Sequence, residues 1–356
     1  MSFSSLTGAF GFAPQIVKAT AGTSFYWYRV YNSDFSPVTD ERPFPQEVGG
    51  SMVPTGAYRA GAFAAGGIDF APRLEDDLAW LLIWALGENP VTTIDTPVAT
   101  MNRHRWTLSG EEDTLYWGTV HTIIPGTTEL GIIGMDTKVS SLRLALPQAG
   151  LLAARLDLVG RLFNATTDNI FVEGPAGAGW TTSFEDYTTV PVSSKGGFII
   201  TGLNGDAELP CVGITIDIAN ALTTPQQEMI IGAYSPDDFV PVAKTVTVRG
   251  TVKWSDPDIY QTIATGAAAG TDWTESVFEG QAVIETQAPG NFVGTTPYEL
   301  EITLPNVLWQ ITPPRLSGAN IITMDVVGTA IKRAGENFMQ LDWFTDAADG
   351  GYAWPV

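Results

Sequence analysis

The residues able to do chemistry are few and poorly grouped. The chain has two histidines, His104 and His121, both in stretches of alternating residue type. A metal centre needs several converging donors, and a nucleophilic triad needs an acid to orient its imidazole. The sequence sets no such group beside either histidine, so both read as packed or surface residues. Three acidic groups remain: Glu111-Glu112-Asp113, Asp237-Asp238, and Asp256 with Asp258. None has calcium-loop spacing, and a carboxylate pair for acid/base work must converge in a pocket. The first two read as solvated turns and the third as a helix start. Gly174 to Gly179 is glycine-rich, but no Lys-Ser/Thr follows it, so it is no phosphate loop. Asn164-Ala165-Thr166 fits a glycosylation pattern without a secretory signal to give it meaning. The single cysteine, Cys211, excludes an intrachain disulfide, and its place in an alternating strand predicts burial. Nothing here argues for catalysis, metal binding or a cofactor.

The elements are clearer. In Lys138–Leu162, Leu142, Leu144 and Leu146 alternate with Ser141 and Arg143. Leu152, Ala154, Leu156 and Leu158 alternate with Arg155, Asp157 and Arg161. Period two over this length predicts strands with one dry face and one wet face. The pattern returns at 211–219, 244–254 and 298–304, with shorter strands near 198–203, 277–286 and 321–332. Residues 74–86 predict a helix, with Pro72 ahead, acids in the first turn and Gly87 after the end. Its second half is apolar all round, which predicts burial on most sides. A second, short helix is predicted over 256–265. Residues 41–72 read as a long hairpin or loop, and 88–136 as a hairpin whose arms flank the acidic turn at 110–113. The opening forty residues read as an arm. The last sixteen hold Trp343, Phe344, Tyr352 and Trp354 without a strand or helix period. They predict either an arm docked on a neighbouring subunit or a tail folded back on its own domain.

Composition bounds the class. At 356 residues, two domains are the natural expectation, and 44% hydrophobic content suffices for packed cores. The boundary falls in the Gly- and Thr-rich stretch near 170–185, giving domains 1–175 and 176–356. Each offers several amphipathic strands and one covering helix, an order of elements that hints at duplication. The net charge of −21 argues against coating nucleic acid, because duplex binders need clustered cations. The N-terminus lacks a signal-peptide pattern, and the apolar run Leu78–Leu86 is too short to span a bilayer. These features suit a protein made in a cytosol-like compartment.

Several segments together resemble the tail tube proteins (major tail proteins) of long, flexible-tailed bacteriophages. They are GGSMVPTGAYRAGAF, GGIDFAPRLEDDLAWLLIWALGE, KVSSLRLALPQAGLLAARLDLVGRL, the long run from ELPCVGITIDIAN to VKWSDPDIYQTI, and LEITLPNVLW. The resemblance lies in their order: hairpin, covering helix ending at Leu-Gly, then wet/dry strands. It implies a mainly β fold of two tandem tail-tube-like β-sandwich or barrel domains, each with one covering α-helix. It implies a structural virion protein that polymerises into stacked rings around a water-filled channel for DNA. A two-unit chain implies a homotrimeric ring where single-unit relatives use six copies. Six units of four strands give about 24 strands, and at ~4.8 Å spacing and a steep tilt the barrel is roughly 50 Å across. Duplex DNA, about 20 Å wide, passes with room for water.

On this reading the wet face lines the channel. The candidates are Arg143, Arg155, Asp157, Arg161, Thr215, Asp217, Arg249 and Lys253. That set is not purely acidic, which strains a simple repulsive-channel idea. These residues could equally face ordinary solvent or a neighbouring sheet. Candidates for contact between subunits are Trp343, Phe344, Tyr352 and Trp354. The implied partners are other copies of the chain, a tape-measure protein, tail-tip and terminator proteins, and double-stranded DNA in transit. The implied location is the phage tail, assembled in the host cytoplasm. Two other classes fit the composition. A surface-binding β-sandwich, an adhesin or carbohydrate-binding module, would use the 11 tryptophans as an exposed platform. An enzyme on a β scaffold would need converging carboxylates.

Overall fold

Every stretch of period-two alternation is a strand in the computed structural model. It describes residues 9–354 except 23–24, 47, 49, 51–52, 75, 95–100, 111–113, 125–126, 128–129, 167–186, 256, 268–269, 273–274, 276, 294–295, 315–321 and 346–351. The acidic turn at 111–113, the glycine run 174–179 and the expected domain boundary lie outside the described residues. The first half contains β1 (Ala9–Pro14), β2 (Tyr26–Tyr28), β3 (Val30–Ser33), β4 (Ser36–Pro43), β5 (Ala57–Phe70), α1 (Asp76–Leu86), β6 (Val91–Ile94), β7 (Asn102–Leu108), β8 (Gly118–Ile124), β9 (Leu130–Leu146) and β10 (Ala153–Thr166). The second contains β11 (Gly196–Ile200), β12 (Cys211–Leu222), β13 (Pro241–Lys253), α2 (Pro257–Thr265), β14 (Glu279–Val293), β15 (Thr296–Ile311), β16 (Thr323–Ala330) and β17 (Met339–Thr345). Among the described residues the fold is mainly β with two α-helices, and the strand pairings are antiparallel.

A ribbon runs through both halves in the order β3/β4, β5, β10, β9, β12, β13, β16, β15. One apolar row crosses all of it: Val30, Phe70, Ala154, Leu144, Ile216, Val248, Gly328 and Trp309. Residues directly opposite in neighbouring strands share a face, so this row is one dry stripe. A second layer covers it. Leu78, Leu81 and Leu82 of α1 lie over Leu142, Leu144, Ala154 and Leu156. Ile284 of β14 and Leu300 and Ile302 of β15 lie over Leu144, Leu146, Ile214 and Ile216. α1 ends where Gly87 takes φ +75, a conformation glycine adopts without strain. A Cβ there would also strike the Thr114 carbonyl oxygen at 2.3 Å.

The same order of elements occurs twice. A hairpin (β4–β5) leads into α1, and a long strand of 17 residues (β9) precedes the strand (β10) that returns beside β5. A second hairpin (β12–β13) leads into α2, and a long strand of 16 residues (β15) precedes the strand (β16) that returns beside β13. In each set the spatial order is first, second, fourth, third.

Three sequence expectations need correction. The arms expected to form a hairpin over 88–136 do not pair with each other: β7 lies between β6 and β17, and β8 between β1 and β9. The opening residues are not a free arm from Ala9 onward, because β1 pairs with β8 and buries Phe10 and Phe12. The last stretch does hold a strand. β17 is inserted between β15 and β7: Met339, Leu341, Trp343 and Thr345 are buried on one face, and on the other Asp342 is buried while Gln340 and Phe344 are half-buried. Phe344 on the polar side blurs the alternation that a strand with one dry face would show.

The terminal aromatics extend one core. Trp343 lies 4.8 Å from His104 and 6.5 Å from Trp106, ring centre to ring centre. Trp354 stacks on Tyr116 at 4.8 Å, and Phe12 stacks on Trp84 at 4.3 Å. Trp343→Ala therefore removes a fully buried side chain from this core. It is expected to cost about 3–5 kcal/mol, read as a lower denaturant midpoint of the monomer.

His121 is fully buried, with Phe25 edge-on at 5.8 Å, and burial pushes its imidazole down to about 4. The unfolded chain takes up a proton below about 6.5, while the folded chain resists it until about 4. The stability this contributes is complete above pH 6.5 and lost as pH falls toward 4. Between pH 7 and pH 4 the wild type should lose about 3 kcal/mol more than His121→Leu in parallel urea titrations. Equal losses would refute this assignment.

Candidate functional site

The face opposite the dry stripe carries the polar partners of the same strands. One row crosses eight strands without a break: Asn32, Asp69, Arg155, Arg143, Asp217, Thr247, Thr329 and Leu308. Beside it runs Ala153, Ala145, Thr215, Arg249, Val327 and Gln310. Lys253 stands opposite Thr323, and Thr251 opposite Asp325. Seven of the eight candidates therefore share this face: Arg143, Arg155, Asp157, Thr215, Asp217, Arg249 and Lys253. Period-two spacing alone suffices to bring them together, since each strand pair is in register.

The charges on the face are arranged in pairs. Arg155 and Arg143 stand directly opposite each other, a placement that costs energy unless each is neutralised. Acids flank them on both sides. Arg155 reaches Asp34 at 3.1 Å, Asp69 at 3.0 Å and Asp157 at 2.8 Å. Arg143 meets Asp217 at 3.5 Å. The hydrogen bond from Arg155 to Asp34 is the largest influence holding that guanidinium firmly protonated, with Asp69 and Asp157 adding to it. Asp34 is held below the usual carboxylate range, first by the Gly67 backbone N–H and then by Arg155. The Thr251 hydroxyl donates to Asp325 at 2.9 Å. Four cations (Arg143, Arg155, Arg249, Lys253) thus share the surface with five acids (Asp34, Asp69, Asp157, Asp217, Asp325), and ion pairs join Arg143 and Arg155 to four of those acids. The face is close to neutral although the chain carries −21.

Arg161 is placed differently. It shares the parity of Arg155 and Asp157 in β10, but the β12–β13 connection covers the face at that level. Its guanidinium sits 2.8 Å from Asp136 and donates to the Pro236 carbonyl at 2.7 Å. Asp136 is buried and also accepts from the Gln15 amide and, at 2.7 Å, from the Ala19 N–H. Lys138 nearby is buried against Asp238 at 3.0 Å and the Phe239 carbonyl at 2.8 Å. Arg161 therefore belongs to a polar clamp between the two halves, away from the open face.

Of the four aromatics considered for subunit contact, Trp343, Tyr352 and Trp354 are buried within the chain's own core. Phe344 is half-buried, opposite Arg103 and Glu299. The geometry supports the tail folded back on its own chain. Sequence reasoning missed Asn32, Asp34, Asp69, Asp325 and Gln310 on the polar face. For Asp325 the signal was legible, since Met324, Val326 and Gly328 alternate with Asp325, Val327 and Thr329. For Asp69 it was hidden by the glycines around it.

His104 and His121 are both buried. Burial pushes the Cys211 thiol up to about 12, so it is not a nucleophile at neutral pH. Among the described residues no group of three or more His, Cys, Asp or Glu could hold a metal ion, and no tryptophan is exposed. An aromatic binding platform therefore has no tryptophan to build it from among these residues.

A comparison with curated proteins gives no match. The family model described as phage tail tube protein matches residues 44–326, a span that runs from β5 through β15 into β16 and includes both helices. The chain belongs to the phage tail tube protein family: it is a structural protein of the virion, not an enzyme.

Proposed function

We propose that copies of this chain close head to tail into rings, that the rings stack, and that the polar face becomes the wall of a water-filled bore for DNA. The observation that carries this reading is the polar row from Asn32 to Thr329, which crosses seven of the ribbon's eight strands with its charges internally paired. A curved sheet with one dry and one wet face closes most economically by repeating around an axis, because closure leaves no edge unpaired. In this reading residues 1–175 and 176–356 are two tail-tube-like β units. Each contributes four strands, β3/β4-β5-β10-β9 and β12-β13-β16-β15. Three copies then supply about 24 strands and a barrel roughly 50 Å across, as a flexible-tailed phage of the two-unit variety would need. A tape-measure protein would fill the bore before ejection, and tail-tip and terminator proteins would cap its ends.

The paired charges suit such a bore. Arg143 and Arg155, already held by carboxylates, gain little from a phosphate, which leaves DNA fewer tight contacts in passing. Arg143, Arg155, Asp157, Thr215, Asp217, Arg249 and Lys253 are the proposed lining.

Concentrated protein should form hollow cylinders visible by negative-stain electron microscopy; dispersed monomers under every assembly condition would sink the reading. Assembled wild-type tubes should release duplex DNA at moderate salt. Asp217→Asn frees Arg143 and should steepen the log–log salt dependence of DNA retention by about 0.9 for each cation that reaches a phosphate. Its effect on monomer stability should stay under about 1 kcal/mol, since the pair is largely exposed.

A further inference from the structure

The β12–β13 connection, residues 223–240, is fixed at many points along its length. The Thr223 N–H donates to the Val240 carbonyl at 2.9 Å, and the Asp237 N–H to the Glu228 carbonyl at 2.9 Å. The Tyr234 carbonyl accepts the Ala62 N–H of β5 at 3.0 Å. Lys18 holds Asp237 at 2.8 Å, Arg161 donates to the Pro236 carbonyl at 2.7 Å, and Lys138 pairs with Asp238 at 3.0 Å. Phe239 is fully buried. The tip is a defined turn, closed by the Ala233 N–H on the Ile230 carbonyl at 2.9 Å, with Gly232 at φ +91. It nevertheless buries little: Ile230 is 55% exposed and Ile231 is fully exposed. Ordering a backbone costs conformational entropy, and here the ordered segment holds two isoleucines out in water. An apolar tip kept in one conformation has met the ordering cost of binding in advance. Glu228, just before the isoleucines, has no ion pair among the described residues.

A groove with complementary features lies at the other end of the same hairpin. It measures about 570 Å³ and opens on the polar face. Pro147, Ile214 and Val327 give it apolar walls, and Arg249, Thr251 and Asp325 give it polar ones. Arg249 is exposed, and Lys253 follows it on the same face of β13. Neither cation has an ion pair among the described residues, in contrast to Arg143 and Arg155. Asp325 is the one carboxylate of the lining, so Arg249 and Lys253 together leave this end of the face net positive. At ~3.3 Å per residue, Gly213 at the groove and Leu222 at the connection stand roughly 30 Å apart along β12.

We propose that rings stack by seating the tip at 228–231 of one copy in the Arg249 groove of a copy in the next ring. Ile230 and Ile231 pack on the apolar walls, and Glu228 supplies the carboxylate that Arg249 and Lys253 lack in their own chain. Charge selects this occupant: an acidic, apolar tip meets a cationic, partly apolar groove, and every copy carries both. Unlike surfaces at opposite ends of one molecule make a heterologous contact, which does not close on a pair and repeats as an open stack. The seated tip also neutralises the cations that the polar face leaves unpaired, so the wall stays balanced where two rings meet. The inference rests on the ring reading above and specifies how one ring holds the next.

The first test is Ile231→Asp in the full chain, since a fully exposed side chain should leave the monomer's denaturant midpoint unchanged. Single rings should persist by negative-stain electron microscopy, while the concentration needed for tubes rises at least ~10-fold. Tubes that form at the wild-type concentration overturn this contact, assign the tip to a partner other than this chain, and leave the tube reading standing. Wild-type protein that never forms rings or tubes overturns both. A charge exchange guards against an Ile231→Asp variant that does not fold. Glu228→Arg and Arg249→Glu should each cut the yield of tubes at least ~10-fold, because each sets like charges against each other, and the double variant should restore it. Full tube yield in both single variants, or no recovery in the double variant, overturns the contact.

Discussion

The structure depends on an unbroken ladder between β9 and β12. Ser141 to Leu146 pairs with Ala219 to Ile214, and this is where the two sets of strands become one ribbon. Because side chains alternate strictly along a strand, the register of this seam decides both faces at once. Leu142 opposite Ile218 and Leu144 opposite Ile216 keep the dry stripe continuous, while Arg143 opposite Asp217 keeps the wet row continuous. A slip by one residue would drive Arg143 and Asp217 into the core and expose the leucines. The apolar second layer holds the register, and the register arranges the charges.

Charge then divides by location. The polar face is nearly balanced, so most of the chain's acidity lies elsewhere. Part of it is on the opposite side of the covering layer, where Glu285 stands opposite Glu301, and Glu301 opposite Asp342. Asp342 there has a strong cationic partner, Arg105 at 2.6 Å. Desolvation, with neighbouring carboxylates adding to it, raises Glu285 and Glu299 above the ordinary range. Like charges facing each other in a ladder are tolerated where water and salt can screen them. A net charge of −21 is thus compatible with a nearly neutral, hydrogen-bonded polar face. The apparent conflict between an acidic chain and arginines on the wet face disappears once the residues around each arginine are known.

How much of this was legible in the sequence follows from burial. β9, β10, β12 and β13 have one dry and one wet face, and their alternation announced both the strands and the seven candidates that share the polar face. β17 was hard to read because Phe344 shares a face with Gln340 and Asp342 and blurs the alternation of Met339, Leu341 and Trp343 with polar residues. β5 was obscured because its Gly66 and Gly67 are required by backbone packing: a Cβ on Gly66 would meet the Asp34 carbonyl at 2.5 Å, and one on Gly67 the Leu156 carbonyl at 2.7 Å. Those glycines read as loop. Arg161 departs from the other candidates for a different reason. Its parity is right, but its guanidinium is taken up by a connection 75 residues further along the chain, and no local pattern records that. Pairing partners were the least legible of all, since β7 and β17 meet across more than two hundred residues.

The ribbon's free edge shows how such a chain can exist before it assembles. An exposed strand edge invites pairing with any other edge. Along β3 and β4 the described residues pair on one side only, with β5. β4 carries Pro37 and Pro43, which offer no N–H to a ladder, and Asp40, Glu41 and Arg42, mostly exposed. The charges are tied locally, Arg42 to Asp40 at 2.7 Å and Arg59 to Glu41 at 2.7 Å, and such surface pairs are weak enough to rearrange. Prolines and charges make this edge a poor template for accidental pairing. They do not prevent a match in which apolar side chains beside the edge are buried at the same time. Selectivity of this kind requires that backbone pairing and side-chain burial occur together. The edge alone supplies the first, and the bare valines and aromatics beside it supply the second.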